Sequence, residues 1–415
     1  MARTFLHPNE ALELVLKNSE DYGNEKISVL DSYNRVLVDD VYALNDDPPF
    51  SKSSMDGYAY KKEDENKNSY VLIEDKIIYA GLCDKIEVKS GECVKIMTGA
   101  MIPENCDAVQ RVEWVEEKKE KKEKKEKKEK KENAKTIINF TKKEITNNVI
   151  KKGNNKKSGD KVLDKKMLLP KDVAILAGFG YSNIEVKKKI NTAIISTGNE
   201  ISNIGESLKE GQIYDANAPM LVARTSALSC NSKFYGKVND DEKEIKEILS
   251  KALEENDIVL ISGGVSMGDF DYVHKELLEL GVNQIFHGVA MKPGKPLFFG
   301  KLGKKAVFAL PGNTVSSFMT FEIMVKPYIL NCLGINYDTN YINAVISEDF
   351  KRKDTERLEY IPVHLFFDDT KLLVKLIKYN NSSMISSFSE ANGILKIDIG
   401  ISDIVKGSIV DVRFL

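Results

Sequence analysis

The sequence predicts a multi-domain α/β protein, and three observations carry that reading. At roughly 100–200 residues per domain, a chain of 415 residues holds about two to four domains. Between about residues 188 and 333, strand-like and helix-like runs alternate, the pattern of a parallel sheet in a three-layer α/β domain. Before and after that region lie short runs in which Val and Ile alternate with polar residues, the pattern of small β domains.

The elements follow in order. "HPNEALELVLKN" (7–18) predicts a first helix, because Pro8 suits a first turn and Ala11, Leu12, Val15 and Leu16 share one face. An apolar stretch with Val36, Leu37 and Val41 comes next, and "DDPPFSKSSMDGYAY" (46–60) is a loop leading into a strand. "YVLIEDKIIYAG" (70–81), "KIEVKSGECVKIMTG" (85–99) and "DAVQRVEWV" (107–115) read as short strands. The Lys/Glu run 116–133 has a period of three and no apolar seam, which excludes a coiled coil. It lies between two strand-like runs and reads as an expanded hairpin tip, tolerable because closure entropy grows only logarithmically with length.

In the α/β region, "TAIISTG" (192–198) precedes a helix near 219–229. "KFYGKV" (233–238) precedes "DEKEIKEILSKALEE" (241–255), whose Ile245, Ile248, Leu249, Ala252 and Leu253 trace one face. "DIVLISGG" (257–264) precedes "DYVHKELLEL" (271–280), and "AVFALPG" (306–312) precedes "TVSSFMTFEIMVKPYIL" (314–330). From about residue 338 the chain is strand-rich and reads as a separate β domain.

Composition narrows the function classes. A net charge of −2 disfavours a nucleic-acid-binding protein. The cysteine count is odd and none forms a CxxC pair, which disfavours a disulfide framework or structural zinc. With no long apolar run near the start and no stretch near 18 apolar residues, the expectation is a cytoplasmic protein without a membrane span.

Ligands of an open α/β sheet bind outside the carboxyl ends of its strands. Three glycine turns fall on that edge: Thr197-Gly198, Ser262-Gly263-Gly264-Val265-Ser266 and Pro311-Gly312-Asn313. Glycine lets backbone N–H groups approach an anion, so the three together point to a ligand the size of a phosphate or a pterin. Neither GxxxxGK[ST] nor GxGxxG is present, which disfavours a P-loop ATPase and a dinucleotide enzyme. Asp56, Asp215, Asp269 and Asp271 are hard oxygen donors suited to Mg²⁺ on phosphates, although Asp215 and Asp269 also read as helix N-caps.

"MKPGKPLFFG" (291–300) sets Lys292 and Lys295 in a stiff Pro-Gly-containing turn ahead of an apolar strand. Like charges held together invite a shared anion. At about 4 Å and an effective dielectric near 20, each lysine would gain roughly 4 kcal/mol from one. The turn therefore reads as a receptor for a compact oxyanion; the plainer reading is two lysines reaching to solvent.

"SSMDGYA" (53–59), "KIMTGAMIP" (95–103), "STGNEI" (196–201), "GQIYDAN" (211–217), "SGGVSMGDFDYV" (262–273), "AMKPGKP" (290–296) and "LPGNTVSS" (310–317) together resemble the MoeA family, molybdopterin molybdenumtransferases related to the gephyrin E domain. The resemblance implies four parts. They are an elongated first domain (1–42 and 147–187), an inserted β domain (43–146), a MogA-like molybdopterin-binding α/β domain (188–335) and a C-terminal β barrel (336–415). It implies a transferase that takes adenylylated molybdopterin and molybdate, releases AMP with Mg²⁺ and yields molybdenum cofactor. A homodimer is implied, with the site shared between the "MDGYA" region and the other subunit's α/β domain. So is exchange with an upstream molybdopterin adenylyltransferase and downstream molybdoenzymes.

Residue by residue, the resemblance implies a molybdate pocket of Lys292, Lys295, Pro296 and Ser316, completed by Arg357 and by Ser382 or Ser386. Asp56, Asp215 and Asp271 would act at the phosphoanhydride, with Asp215, Asp269 and Asp271 on the metal. Thr98, Gly99, Thr197, Gly198, Gly263, Gly264, Ser266, Pro311, Gly312 and Asn313 would hold the cofactor substrate. The chain departs from the family pattern at Asn154 and Asn155, where acidic residues are usual, and at Thr314, where proline is usual. Two other readings remain: a non-catalytic gephyrin-like scaffold, and insertion of tungstate, which shares molybdate's shape and charge.

Overall fold

The computed structural model describes residues 5–82, 85–119, 135–265, 272–337, 341–377 and 384–415. The chain divides into two compact units, one of Met1–Val38, Lys165–Val173 and Asn183–Leu415, the other of Asp39–Asp164 and Ala174–Ser182. Among the described residues, no helix is long and apolar enough to cross a membrane.

The first unit is built on a six-stranded sheet. Its elements are β1 (Ile190–Thr197), α1 (Asn217–Ala227), β2 (Cys230–Val238), α2 (Glu242–Glu255), β3 (Ile258–Ser262), α3 (Tyr272–Glu279), β4 (Asn283–His287), β5 (Phe298–Leu302), β6 (Lys305–Leu310) and α4 (Thr314–Thr320). The strand order is β2-β1-β3-β6-β5-β4. The β1, β2, β3 and β6 strands run parallel. As expected, the apolar run after the lysine turn is a buried strand, but β5 lies antiparallel to both β6 and β4. A two-residue turn joins β5 to β6, too short for a crossover that would let them run parallel.

Alternation within the strands produces the three layers. Ile194, Ile258, Leu260, Phe308 and Leu310 face one core, while Ala193, Ile195, Val259, Ile261 and Val307 face the other. The first core also takes Ala11 and Val15 of the N-terminal helix Pro8–Lys17. The second takes Ile245, Leu249, Ala252 and Leu253 of α2, the predicted stripe, and Asp241 caps that helix by accepting from Glu244 N at 2.9 Å.

The strand-rich end is a closed barrel of β7 (Ile342–Ile346), β8 (Leu358–Asp368), β9 (Lys371–Leu376), β10 (Gly393–Ile397) and β11 (Ile409–Phe414). The ring runs β8-β9-β7-β11-β10 and returns to β8, which removes exposed edges. The short strand Met291–Lys292 pairs parallel with β8 at Leu358 and Glu359, tying the lysine turn to the barrel.

The second unit contains an all-β sheet ordered Ala108–Arg111, Gly57–Tyr60, Glu92–Ile96, Ser69–Ile78, Thr136–Phe140, Val115–Lys119. The last two strands pair antiparallel, from Val115 opposite Phe140 to Lys119 opposite Thr136. Of the Lys/Glu run, 116–119 belong to one arm of this antiparallel pair and so to a strand, an exposed charged edge strand of the sheet, rather than to a hairpin tip. Residues 120–134 lie outside the described residues.

Candidate active site

Two neighbouring cavities lie in the first unit, and Pro296, Pro311 and Asn313 line both. The larger, about 770 Å³, is walled on one side by the turn from Lys292 to Pro296 and by Ser316. The barrel supplies the other side with Lys351, Arg352, Lys353, Asp354, Arg357 and Glu359. Gly294 has a φ of +110°, and a Cβ there would sit 2.2 Å from Met291 Cε, so the turn's tight path requires glycine.

The cations of this cavity have distinct partners. Lys292 Nζ lies 2.7 Å from the buried Glu359 carboxylate, which also meets Arg352 Nη1 at 3.2 Å. Arg352 is itself buried and donates to the carbonyls of Arg357, Asp398 and Ile401. Arg357 pairs with Asp354 at 2.5 Å, and that guanidinium holds the Asp354 carboxyl below the usual carboxylate range. Lys295 Nζ stands 4.2 Å from the centre of the Phe5 ring.

The smaller cavity, about 450 Å³, opens at the carboxyl ends of β1, β3 and β6, where the glycine turns were expected. Thr197, Gly198, Gly263, Gly264, Pro311, Gly312, Asn313 and Asp215 all line it. Gly263, at φ +90°, lets two strand ends approach, since a Cβ would lie 2.5 Å from the Thr197 carbonyl oxygen. Asp215 both caps and faces the cavity. Its Oδ1 accepts from the backbone N–H groups of Asn217 and Ala218, each at 3.0 Å, while Oδ2 is buried without a partner among the described residues.

Ser196 Oγ, Thr197 Oγ1 and Asn217 Oδ1 are likewise buried without a hydrogen-bond partner among the described residues. Buried polar atoms are normally paired, so four orphans on one wall mark a place where a ligand supplies the partners. Asn217 is fixed by its own amide, which donates to Ser262 Oγ at 2.6 Å and to the Gly312 carbonyl at 2.7 Å.

Other expected residues lie elsewhere. Asp56, Thr98 and Gly99 belong to the second unit. There Asp56 Oδ1 accepts from Thr98 N at 2.7 Å and Thr98 Oγ1 at 2.8 Å, and these two bonds, the backbone one foremost, lower its pKa. Ser386 is exposed in the helical turn Ile385–Ser389 and is not among the residues lining either cavity. Ser266, Asp269, Asp271 and Ser382 lie outside the described residues. A further carboxylate cluster, Glu242, Glu276 and Glu279, is matched by Lys246 and Lys275.

Sequence reasoning missed Asn217, Glu359, Arg352 and Phe5. Asn217 stood in view as the last residue of "GQIYDAN", beside the aspartate that was chosen. Glu359 and Arg352 bracket the chosen Arg357, but only the strand pairing reveals what they face. Phe5 belongs to no motif.

Three family profiles match the chain in order: "MoeA N-terminal region (domain I and II)" over residues 6–180, "Probable molybdopterin binding domain" over 193–331 and "MoeA C-terminal region (domain IV)" over 343–415. A molybdopterin molybdenumtransferase of Staphylococcus epidermidis is 30% identical across 99% of this chain and 96% of its own length. The chain belongs to the MoeA family. A MoeA relative from Bacillus subtilis, also a molybdopterin molybdenumtransferase, is 29% identical across 100% of this chain and 95% of its own length. The crystal structure of a molybdopterin biosynthesis MoeA protein from Pyrococcus horikoshii superposes with a TM-score of 0.79 at 30% identity, covering 99% of each chain. The expected fold class, an α/β molybdopterin-binding domain with β domains and a C-terminal barrel, is the MoeA fold.

Proposed function

We propose that this MoeA chain is a molybdopterin molybdenumtransferase that joins molybdate to molybdopterin presented as its adenylate. The observation that carries the reading is the adjacency of the two cavities: a cation-lined one, next to one with orphaned polar atoms at the strand ends. Lys292, Lys295, Ser316 and Arg357 would receive molybdate. Thr197, Gly198, Gly263, Gly264, Gly312 and Asn313 would hold the pterin phosphate, with Ser266 joining them and Ser382 joining the molybdate residues by motif.

Cleavage of the phosphoanhydride places negative charge on the departing AMP. Magnesium, when bound, supplies charge neutralisation there. The free Oδ2 of Asp215 is a hard donor of the right kind, and Asp269 and Asp271 join it by motif. Asp56, Thr98 and Gly99 would act from the second unit in a cytoplasmic homodimer. A mixture of Asp56→Ala and Lys295→Ala subunits should recover activity that neither variant shows alone, if each site draws on both subunits.

The deciding experiment is release of AMP from adenylylated molybdopterin on addition of molybdate and Mg²⁺. Release by the wild type, reduced in Lys295→Ala, supports the reading. No release from a folded protein with either molybdate or tungstate overturns it.

A further inference from the structure

The two lysines of the turn stand in different surroundings, and the difference has a chemical meaning. Lys292 faces the carboxylate of Glu359, which neutralises its charge and occupies one of its N–H groups. Lys295 faces the ring of Phe5, and among the described residues no carboxylate lies within ion-pair distance of it. An aromatic face attracts an ammonium through its quadrupole without cancelling the charge or requiring a directed hydrogen bond. Lys295 thus keeps its full charge and its three donors for a ligand.

The ring is held in place on its own account. Leu6 pairs with Val289, and its carbonyl accepts from Ala290 N at 2.8 Å, which fixes the backbone beside Phe5. Gly288, at φ +98°, leaves the slot the ring fills, since a Cβ there would lie 2.7 Å from Phe5 Cδ1. The Lys295 carbonyl accepts from Val289 N at 2.9 Å and Leu297 N at 3.0 Å, anchoring the lysine's backbone to the same segment.

We propose that Phe5 is a positioning residue of the oxyanion site, carrying the Lys295 ammonium on its ring so that the lysine meets a tetrahedral dianion with charge and donors unspent. Lys292 then serves mainly to join the turn to the barrel. The inference rests on the reading of the larger cavity as the oxyanion site.

Binding of molybdate to the full chain is measured calorimetrically for wild type, Phe5→Leu and Phe5→Trp at neutral pH. Phe5→Leu should weaken binding about three- to tenfold, the worth of one partly desolvated cation–π contact. Phe5→Trp, with a stronger π face, should bind at least as tightly as wild type. If wild type binds molybdate and Phe5→Leu matches it, the proposal fails while the site's function stands. Equal losses in Phe5→Leu and Phe5→Trp, with lowered melting temperatures, reduce Phe5 to packing and also overturn it. If wild type binds neither molybdate nor tungstate, the oxyanion reading itself fails and takes this inference with it.

Discussion

The Lys292 ammonium and the Glu359 carboxylate meet at 2.7 Å, directly across the strand pair that joins the proline turn to the barrel. A carboxylate in the wall of a proposed anion site looks like a liability. Its second partner, the buried Arg352, gives the reason for it: one carboxylate fixes a cation from each side of the join.

Glu359→Gln should therefore destabilise the first unit. Loss of one partner from a fully buried pair costs about 3–5 kcal/mol, but Lys292 is 42% exposed and Arg352 keeps its carbonyl acceptors, so about 1–3 kcal/mol is expected. Denaturant unfolding measures this, and a midpoint equal to wild type would show that the pair holds nothing together.

Gly263→Ala tests the close approach of the strand ends. The residue sits at φ +90° and its Cβ would collide with the Thr197 carbonyl, so a loss of at least about 1–3 kcal/mol is expected, with pterin binding lost as the cavity deforms. Unchanged stability together with unchanged ligand affinity would contradict the geometry.

Asp215 separates structure from chemistry. Asp215→Ala removes the acceptor for Asn217 N and Ala218 N and should cost about 0.5–2 kcal/mol, whereas Asp215→Asn keeps that acceptor and should melt near wild type. Both should lose AMP release if the second oxygen serves the reaction. Full activity in Asp215→Asn would assign the residue to capping alone.

Asp64, in the second unit, gives an acid signature. Burial alone would raise its pKa, but the Lys67 ammonium, Gly91 N–H and Ser90 hydroxyl outweigh burial and hold it below 3.8. A depressed folded pKa stabilises the fold above the unfolded value, and that stability fades as pH falls through the folded value. The protection factor at Gly91 N, its exchange rate relative to the intrinsic rate at the same pH, should fall on acidification in wild type. In Asp64→Asn it should be lower than wild type at neutral pH and less sensitive to acid; identical acid profiles of protection would refute the assignment.

Much of the architecture was legible because burial imposes periodicity. The α2 stripe and the unbroken apolar run of β3 could be read directly, since a helix against a sheet and a strand covered on both faces each constrain every position. The direction of β5 could not be read, because "LFF" looks the same run either way. In the site, glycine turns betray themselves by residue type, and so does a paired lysine turn. Glu359 and Phe5 do not: each acts through a neighbour more than 60 positions away in sequence, and nothing in its local context marks it. Ser386 shows the opposite failure, a motif residue of the right type that the described barrel leaves out of the cavity wall.

The two cavities do not draw on the chain equally. Every residue lining the smaller one comes from between Ser196 and Asn313, whereas half the wall of the larger lies beyond Phe350. A chain ending after the α/β sheet would keep every described residue that lines the smaller cavity and lose half the wall of the larger, leaving the proposed oxyanion site open on one side.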